Sequence, residues 1–166
     1  CSSVAESARR IANEKKIPLL IDSRFRLPNF KNATTATPNQ EEVEQILGKD
    51  FTEKDCVKLR ENLGLEALLI TRGNKGMLLI EKDKAPLHLE AVGSLEPVDV
   101  TGAGDTVIAV YALGLASGLN FAESARLANA AGGVVVMKKN TAFVNREELL
   151  AALENSPFTG HKTQSR

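Results

Sequence analysis

Excess charge of either sign is missing from this chain: 21 lysines and arginines balance 21 aspartates and glutamates. Without a basic surplus it lacks the electrostatic footprint of a nucleic-acid binder or of a protein drawn to anionic lipid. Neither nucleic acid nor membrane is expected as a partner. Cysteine is scarce too, and Cys1 and Cys56 lie far apart with no paired spacing. That excludes a disulfide framework and a zinc site, and it suits a reducing cytoplasm. His88 and His161 stand isolated, which leaves a metal hydrolase without ligands. No apolar run reaches membrane-spanning length, because Gly114 and Gly118 interrupt the longest. The first residues, Cys1-Ser2-Ser3-Val4-Ala5-Glu6, show no basic region followed by an apolar core, so no secretory signal is visible. The expected location is cytoplasmic.

What is present is an alternation of helical and strand patterns, in a chain long enough for one domain with a real core. Residues 3–15 read as an amphipathic helix. Residues 17–22 are a continuous apolar run ending on Asp22, the pattern of a parallel strand buried on both faces. Residues 23–37 read as a polar loop. Thr37-Pro38-Asn39 opens a helix that runs to Leu47 and stops at Gly48. Thr52 caps another through Leu63, stopped by Gly64. Residues 66–72 read as a second buried strand, 73–76 as a turn and 77–81 as the returning strand of a hairpin. Residues 87–92 alternate like an edge strand. Helices are expected over 104–117, 122–137 and 146–153, and 156–166 as a frayed tail. The order predicts an α/β domain over residues 1–155, with a mostly parallel sheet, flanking helices and one antiparallel hairpin. Ligands collect at the carboxyl ends of strands in such sheets, where Asp22, Thr71-Arg72-Gly73 and Asp99 fall.

The stretch that carries chemistry is Asp99-Val100-Thr101-Gly102-Ala103-Gly104-Asp105-Thr106. The run from Val107 to Ala116 contains no proline and reads as a helix apolar nearly all round, hence buried. Gly102, Ala103 and Gly104 leave the N–H groups of the helix start open to a ligand at the positive end of the helix dipole. This is an anion cradle with the Asp105 carboxylate on its rim. A carboxylate there repels a bound phosphate unless it has a task. Taking a proton from an attacking hydroxyl, as in phosphoryl transfer, is such a task. Glycine and aspartate are also ordinary capping choices. Two other phosphate-binding patterns are excluded. A dinucleotide fingerprint needs a small residue where Val107 stands, and Gly73-Asn74-Lys75-Gly76 lacks the spacing and the Lys-Ser/Thr ending of a P-loop.

Three stretches, in order and spacing, resemble the PfkB (ribokinase-like) carbohydrate kinases. Asp99 to Thr106 is similar to that family's second signature. Asn39-x-x-Glu42 resembles its short magnesium and phosphate motif, and Thr71-Arg72-Gly73-x-x-Gly76 its nucleotide-phosphate turn. Residues 17–22, 33–39, 99–108 and 128–136 are more narrowly similar to the heptose-7-phosphate kinase branch. The resemblance covers residues 3–153 and implies a ribokinase-like fold, of which this chain is the C-terminal, ATP-binding part. It places outside this chain an N-terminal half with most sugar contacts and a β-lid that commonly pairs subunits, so the parent is expected to be a homodimer. It implies transfer of the ATP γ-phosphate to the anomeric hydroxyl of D-glycero-D-manno-heptose 7-phosphate, toward ADP-heptose for lipopolysaccharide. The part alone is expected to be inactive.

Carried onto this sequence, the resemblance makes Asp105 the general base. The N–H groups of Gly102, Ala103 and Gly104 hold the transferring charge. Asn39 and Glu42 organise Mg²⁺ through water. Thr71, Arg72, Gly73 and Gly76 meet the nucleotide phosphates, and Asn129 lies by the adenine. Asp99 and Thr101 match positions linked to a monovalent cation, K⁺. Lys139-Asn140-Thr141 departs from the family, which usually has a glycine in that turn. Plainer roles stand beside these: a helix cap for Asn39 and Glu42, a hairpin turn for Thr71 to Gly73, a polar helix contact for Asn129, a loop cap for Asp99. A kinase for another sugar or nucleoside, and a non-catalytic nucleotide-binding module, are the alternatives.

Overall fold

The computed structural model describes residues 2–93, 98–139 and 142–154. The Asn140-Thr141 departure, His161 and the expected tail over 156–166 lie outside the described residues.

The helices form where local signals start and stop them. They are α1 (Ser2–Lys15), α2 (Gln40–Leu47), α3 (Glu53–Leu63), α4 (Ala103–Ala116), α5 (Phe121–Val135) and α6 (Arg146–Glu154). Reciprocal capping boxes open four of them: Asn39 with Glu42, Thr52 with Asp55, Asn120 with Glu123, and Asn145 with Glu148. Gly64, at φ 65°, turns the chain out of α3 in the left-handed conformation.

Five strands lie in chain order: β1 (Leu20–Ile21), β2 (Thr35–Ala36), β3 (Ala67–Thr71), β4 (Met77–Glu81) and β5 (Leu87–Leu89). The first two pairings are parallel and the last two antiparallel, so the sheet is mixed. β3 and β4 are apolar on both faces because helices cover both. Leu68, Ile70, Leu78 and Ile80 meet Val43 of α2 and Leu59 and Leu63 of α3. Leu69, Met77 and Leu79 meet Val107 and Tyr111 of α4 and Ala125 and Ala128 of α5. The period-2 alternation of side chains along each strand thus feeds two cores.

Three expectations are corrected. Of residues 17–22 only Leu20 and Ile21 pair as strand, and both are half-buried rather than sealed on two faces. The loop expected over 23–37 contains β2, whose Thr35 and Ala36 are completely buried. Its small residues show no apolar pattern. It is a strand because its backbone is bonded on both sides, Thr37 N to Ile21 O at 3.1 Å and Glu66 N to Thr34 O at 3.0 Å. α4 is apolar nearly all round, yet it is buried on one side only. Val107, Tyr111 and Gly114 are covered, whereas Leu113 is 62% exposed. α5 and the sheet cover one face, and no described element covers the other.

Candidate active site

The carboxyl ends of β1 and β3, the start of α2 and the start of α4 meet around one cleft of about 1030 Å³. A backbone bridge makes this meeting. Thr71 N donates to Pro38 O at 3.0 Å and Asn39 pairs with Thr71, which draws the α2 start beside the turn after β3. Asn39, Glu42, Thr71, Arg72, Gly73, Thr101, Gly102, Gly104 and Asp105 all line the cleft, as does Asp22. Residues from four separate stretches of chain are therefore brought together.

At the α4 start, Gly102 takes φ 77°, a left-handed conformation that glycine adopts without a Cβ penalty. A Cβ on Gly104 would meet nothing within 4 Å, so the approach to this helix end is open. Ala103 N donates to Val100 O at 3.2 Å and Thr106 N to Gly102 O at 3.0 Å. Those two donors are spent inside the protein. Gly104 and Asp105 are the first-turn residues between them, and N–H groups at a helix start point outward along its axis. Asp105 is exposed on the cleft wall.

Asn39 and Glu42 form the cap that their spacing suggests. Glu42 N donates to Asn39 Oδ1 and Asn39 N to Glu42 Oε2, both at 2.9 Å. Glu42 is nonetheless buried at the cleft wall. Burial foremost pushes its carboxyl above the usual range. The Asn39 N–H pulls it back, Asp22 pushes it up again and Arg24 pulls it down. Asp22 is also raised, first by burial and then by the charge of Asp105, against Arg24. The carboxylates of the cleft thus feel one another and are short of positive charge.

Beside this polar cleft lies an apolar slot of about 190 Å³. Thr71, Gly73, Val100, Gly104 and Val107 line both, so the two spaces join at the α4 start. The far walls of the slot are the Ala91-Val92 segment and the small-residue face of α5. A Cβ on Gly133 would run into the Val92 carbonyl, so only glycine allows that approach. Asn129 is 5% exposed and donates through Nδ2 to Glu90 O at 2.7 Å. It lines the slot and ties α5 to its edge. Gly76 lines the slot as well, and a Cβ there would strike the Leu89 carbonyl. Asp99 is absent from the lining of both spaces. Its Oδ1 accepts the Thr101 N–H at 2.9 Å, which shapes the loop before α4.

Arg24, Thr37 and Lys75 also line the cleft, although sequence reasoning assigns none of them a role there. Their only signal in the sequence is closeness to a strand end or a turn. His88 sits outside, its Nε2 2.8 Å from Glu53 Oε1. Burial pushes the Cys56 thiol up to about 11, which leaves it without thiolate character.

An apolar slot thus opens at a bare helix start onto a carboxylate-lined cleft. The model of the pfkB family carbohydrate kinases matches residues 1–148, and the chain belongs to that family. It is 44% identical over 156 residues to a Haemophilus influenzae protein named bifunctional protein HldE, covering 91% of this chain and 33% of that one. The protein of the same name from Pasteurella multocida is 42% identical over the same coverage. The chain therefore spans a third of the length of the curated relatives it matches. Among solved structures, Arabidopsis thaliana ribokinase, complexed with ribose and ATP, superposes with a TM-score of 0.82 at 23% identity, over 94% of this chain and 54% of that one. Escherichia coli phosphofructokinase-2, in complex with potassium, gives 0.79 at 17% identity, over 93% and 52%. These two share the ribokinase-like fold.

Proposed function

We propose that this chain is the ATP-binding part of a sugar kinase, and that its protein transfers the ATP γ-phosphate to a hydroxyl of D-glycero-D-manno-heptose 7-phosphate. The observation that carries the reading is the placing of Asp105. It stands exposed on the cleft wall, next to Gly104, where slot and cleft join at an open helix start. The 44% identity to bifunctional protein HldE supports the heptose branch over other sugars.

In this reading the base lies in the apolar slot against α5, with Asn129 at its edge. The phosphates cross Thr71, Arg72 and Gly73 to the α4 start. Gly104 and Asp105 N–H groups meet the charge of the transferring phosphoryl, a contribution of several kcal/mol when such donors are fixed in advance. The acceptor oxygen forms the new bond to phosphorus as the bond to the leaving ADP oxygen breaks. Asp105 takes the hydroxyl proton.

Mg²⁺ would supply charge neutralisation of the phosphates. The raised carboxyls of Asp22 and Glu42 fit a cation nearby. Among the described residues no group of three or more His, Cys, Asp or Glu side chains could hold a metal ion. Asn39 and Glu42 would therefore act through waters, which suits a cation that sheds its hydration reluctantly. Asp99 and Thr101 would border K⁺ through the loop that their own hydrogen bond shapes.

The test is ADP release from ATP and heptose 7-phosphate by the whole protein that contains this chain. Sugar-dependent release that disappears in Asp105→Asn supports the reading. Release unaffected by that change, or absent with every sugar phosphate tried, overturns it.

A further inference from the structure

A second chamber of about 340 Å³ adjoins the cleft, lined by Ser23, Phe25, Leu27 and Gln45 among others. It shares Arg24 and Glu42 with the cleft. Slot, cleft and chamber therefore form a series. The slot joins the cleft through Thr71, Gly73 and Gly104, and the chamber joins it through Arg24 and Glu42. Arg72 and Lys75, the other cations of the cleft, come from the turn beside the slot junction.

Arg24 is thus the cation of the far junction. It is exposed and, among the described residues, no carboxylate lies within ion-pair distance of it. Its charge nevertheless reaches Asp22 and Glu42, so it sits near them without being bound up by either. A guanidinium held uncommitted at the mouth of a chamber presents a fork of N–H donors that fits a phosphate bidentately.

Resting on the kinase reading above, we propose that Arg24 is a specificity-determining residue that grips a phosphate ester carried by the sugar acceptor. A nucleotide entering from the slot fills the cleft as far as Asp105. The acceptor must then lie on the chamber side, its reacting hydroxyl toward Asp105 and its opposite end toward Arg24. Arg24 thereby selects a sugar phosphate over the free sugar, and Ser23 and Gln45 supply polar groups in the same chamber.

The experiment measures steady-state kinetics of the whole protein with ATP and either heptose 7-phosphate or the same heptose without its phosphate. Loss of one charged contact predicts that Arg24→Gln raises KM for the sugar phosphate about tenfold to a hundredfold. KM for ATP stays within about twofold, Arg24→Lys recovers part of the loss, and turnover of the free sugar is the same in variant and unaltered protein. ATP affinity and melting temperature of the variants, equal to those of the unaltered protein, show that the fold is intact. A rise in KM for ATP instead, or no change in either KM, overturns the assignment of Arg24 while leaving the kinase reading in place. Failure of the unaltered protein to use any sugar phosphate overturns both.

Discussion

Asn39 and Glu42 hold each other by two hydrogen bonds of 2.9 Å, and through them one carboxylate serves both a helix cap and a cleft wall. The two duties separate by substitution. Glu42→Gln keeps an oxygen that accepts the Asn39 N–H, so the chain should lose less than about 1 kcal/mol of stability. Asn39→Ala removes the cap and should cost about 1 kcal/mol. Urea unfolding of the chain checks both values. In the whole protein Glu42→Gln should also raise the Mg²⁺ concentration needed for half-maximal turnover, read from a Mg²⁺ titration at saturating ATP.

Asp105 is exposed at the open helix start, away from both cores. Asp105→Asn should therefore weaken neither folding nor ATP binding. Turnover should fall by about a hundredfold to ten-thousandfold, the usual contribution of a positioned base. Calorimetric ATP titration of the variant, set beside its turnover rate, shows whether chemistry alone was lost.

The carboxyls of Asp22 and Glu42 are both raised, so the folded chain keeps protons that the unfolded chain has released. A raised folded value means stability present at low pH and lost as pH rises through the interval above 3.8 for Asp22 and above 4.5 for Glu42. Asp22→Asn removes one charge from this cluster. In metal-free buffer its melting temperature should match that of the unaltered chain near pH 3 and exceed it increasingly toward neutrality. Asp55 and Glu148, lowered by hydrogen bonds to Thr52 and Asn145, slope the other way, so the difference between variant and parent is the quantity to follow. A constant or inverted difference would refute the raised carboxyl of Asp22, whose first cause is burial and second the charge of Asp105.

Gly133→Val forces a side chain into the Val92 carbonyl. Overpacking of this kind costs about 1–3 kcal/mol. Because Val92 and Gly133 meet in the lining of the slot, pushing them apart should lower ATP affinity together with stability. Asn129→Ala tests the same wall from its polar side. It removes the hydrogen bond to the Glu90 carbonyl, at a cost of about 1 kcal/mol, without narrowing the slot. A calorimetric titration of each variant with ATP separates blockage from loosening.

The sequence by itself determined what depends on neighbours in the chain. Asn39 with Glu42, Thr52 with Asp55 and Gly64 announce helix ends because a cap bonds groups three or four residues away. The hairpin of β3 and β4 is legible because its turn is short and its strands are continuous apolar runs. Asp105 is legible because the glycines that expose its helix start precede it directly. Only the tertiary structure decided the rest. Thr35 and Ala36 have no pattern of their own, and backbone bonds to distant partners make them a strand. α4 reads as buried all round, but its exposure depends on what packs beside it, and Leu113 is left uncovered. Arg24 and Lys75 reach the cleft through the register of separate segments. Burial, charge coupling and cavity shape are set by residues far apart in sequence, and no local pattern encodes those distances.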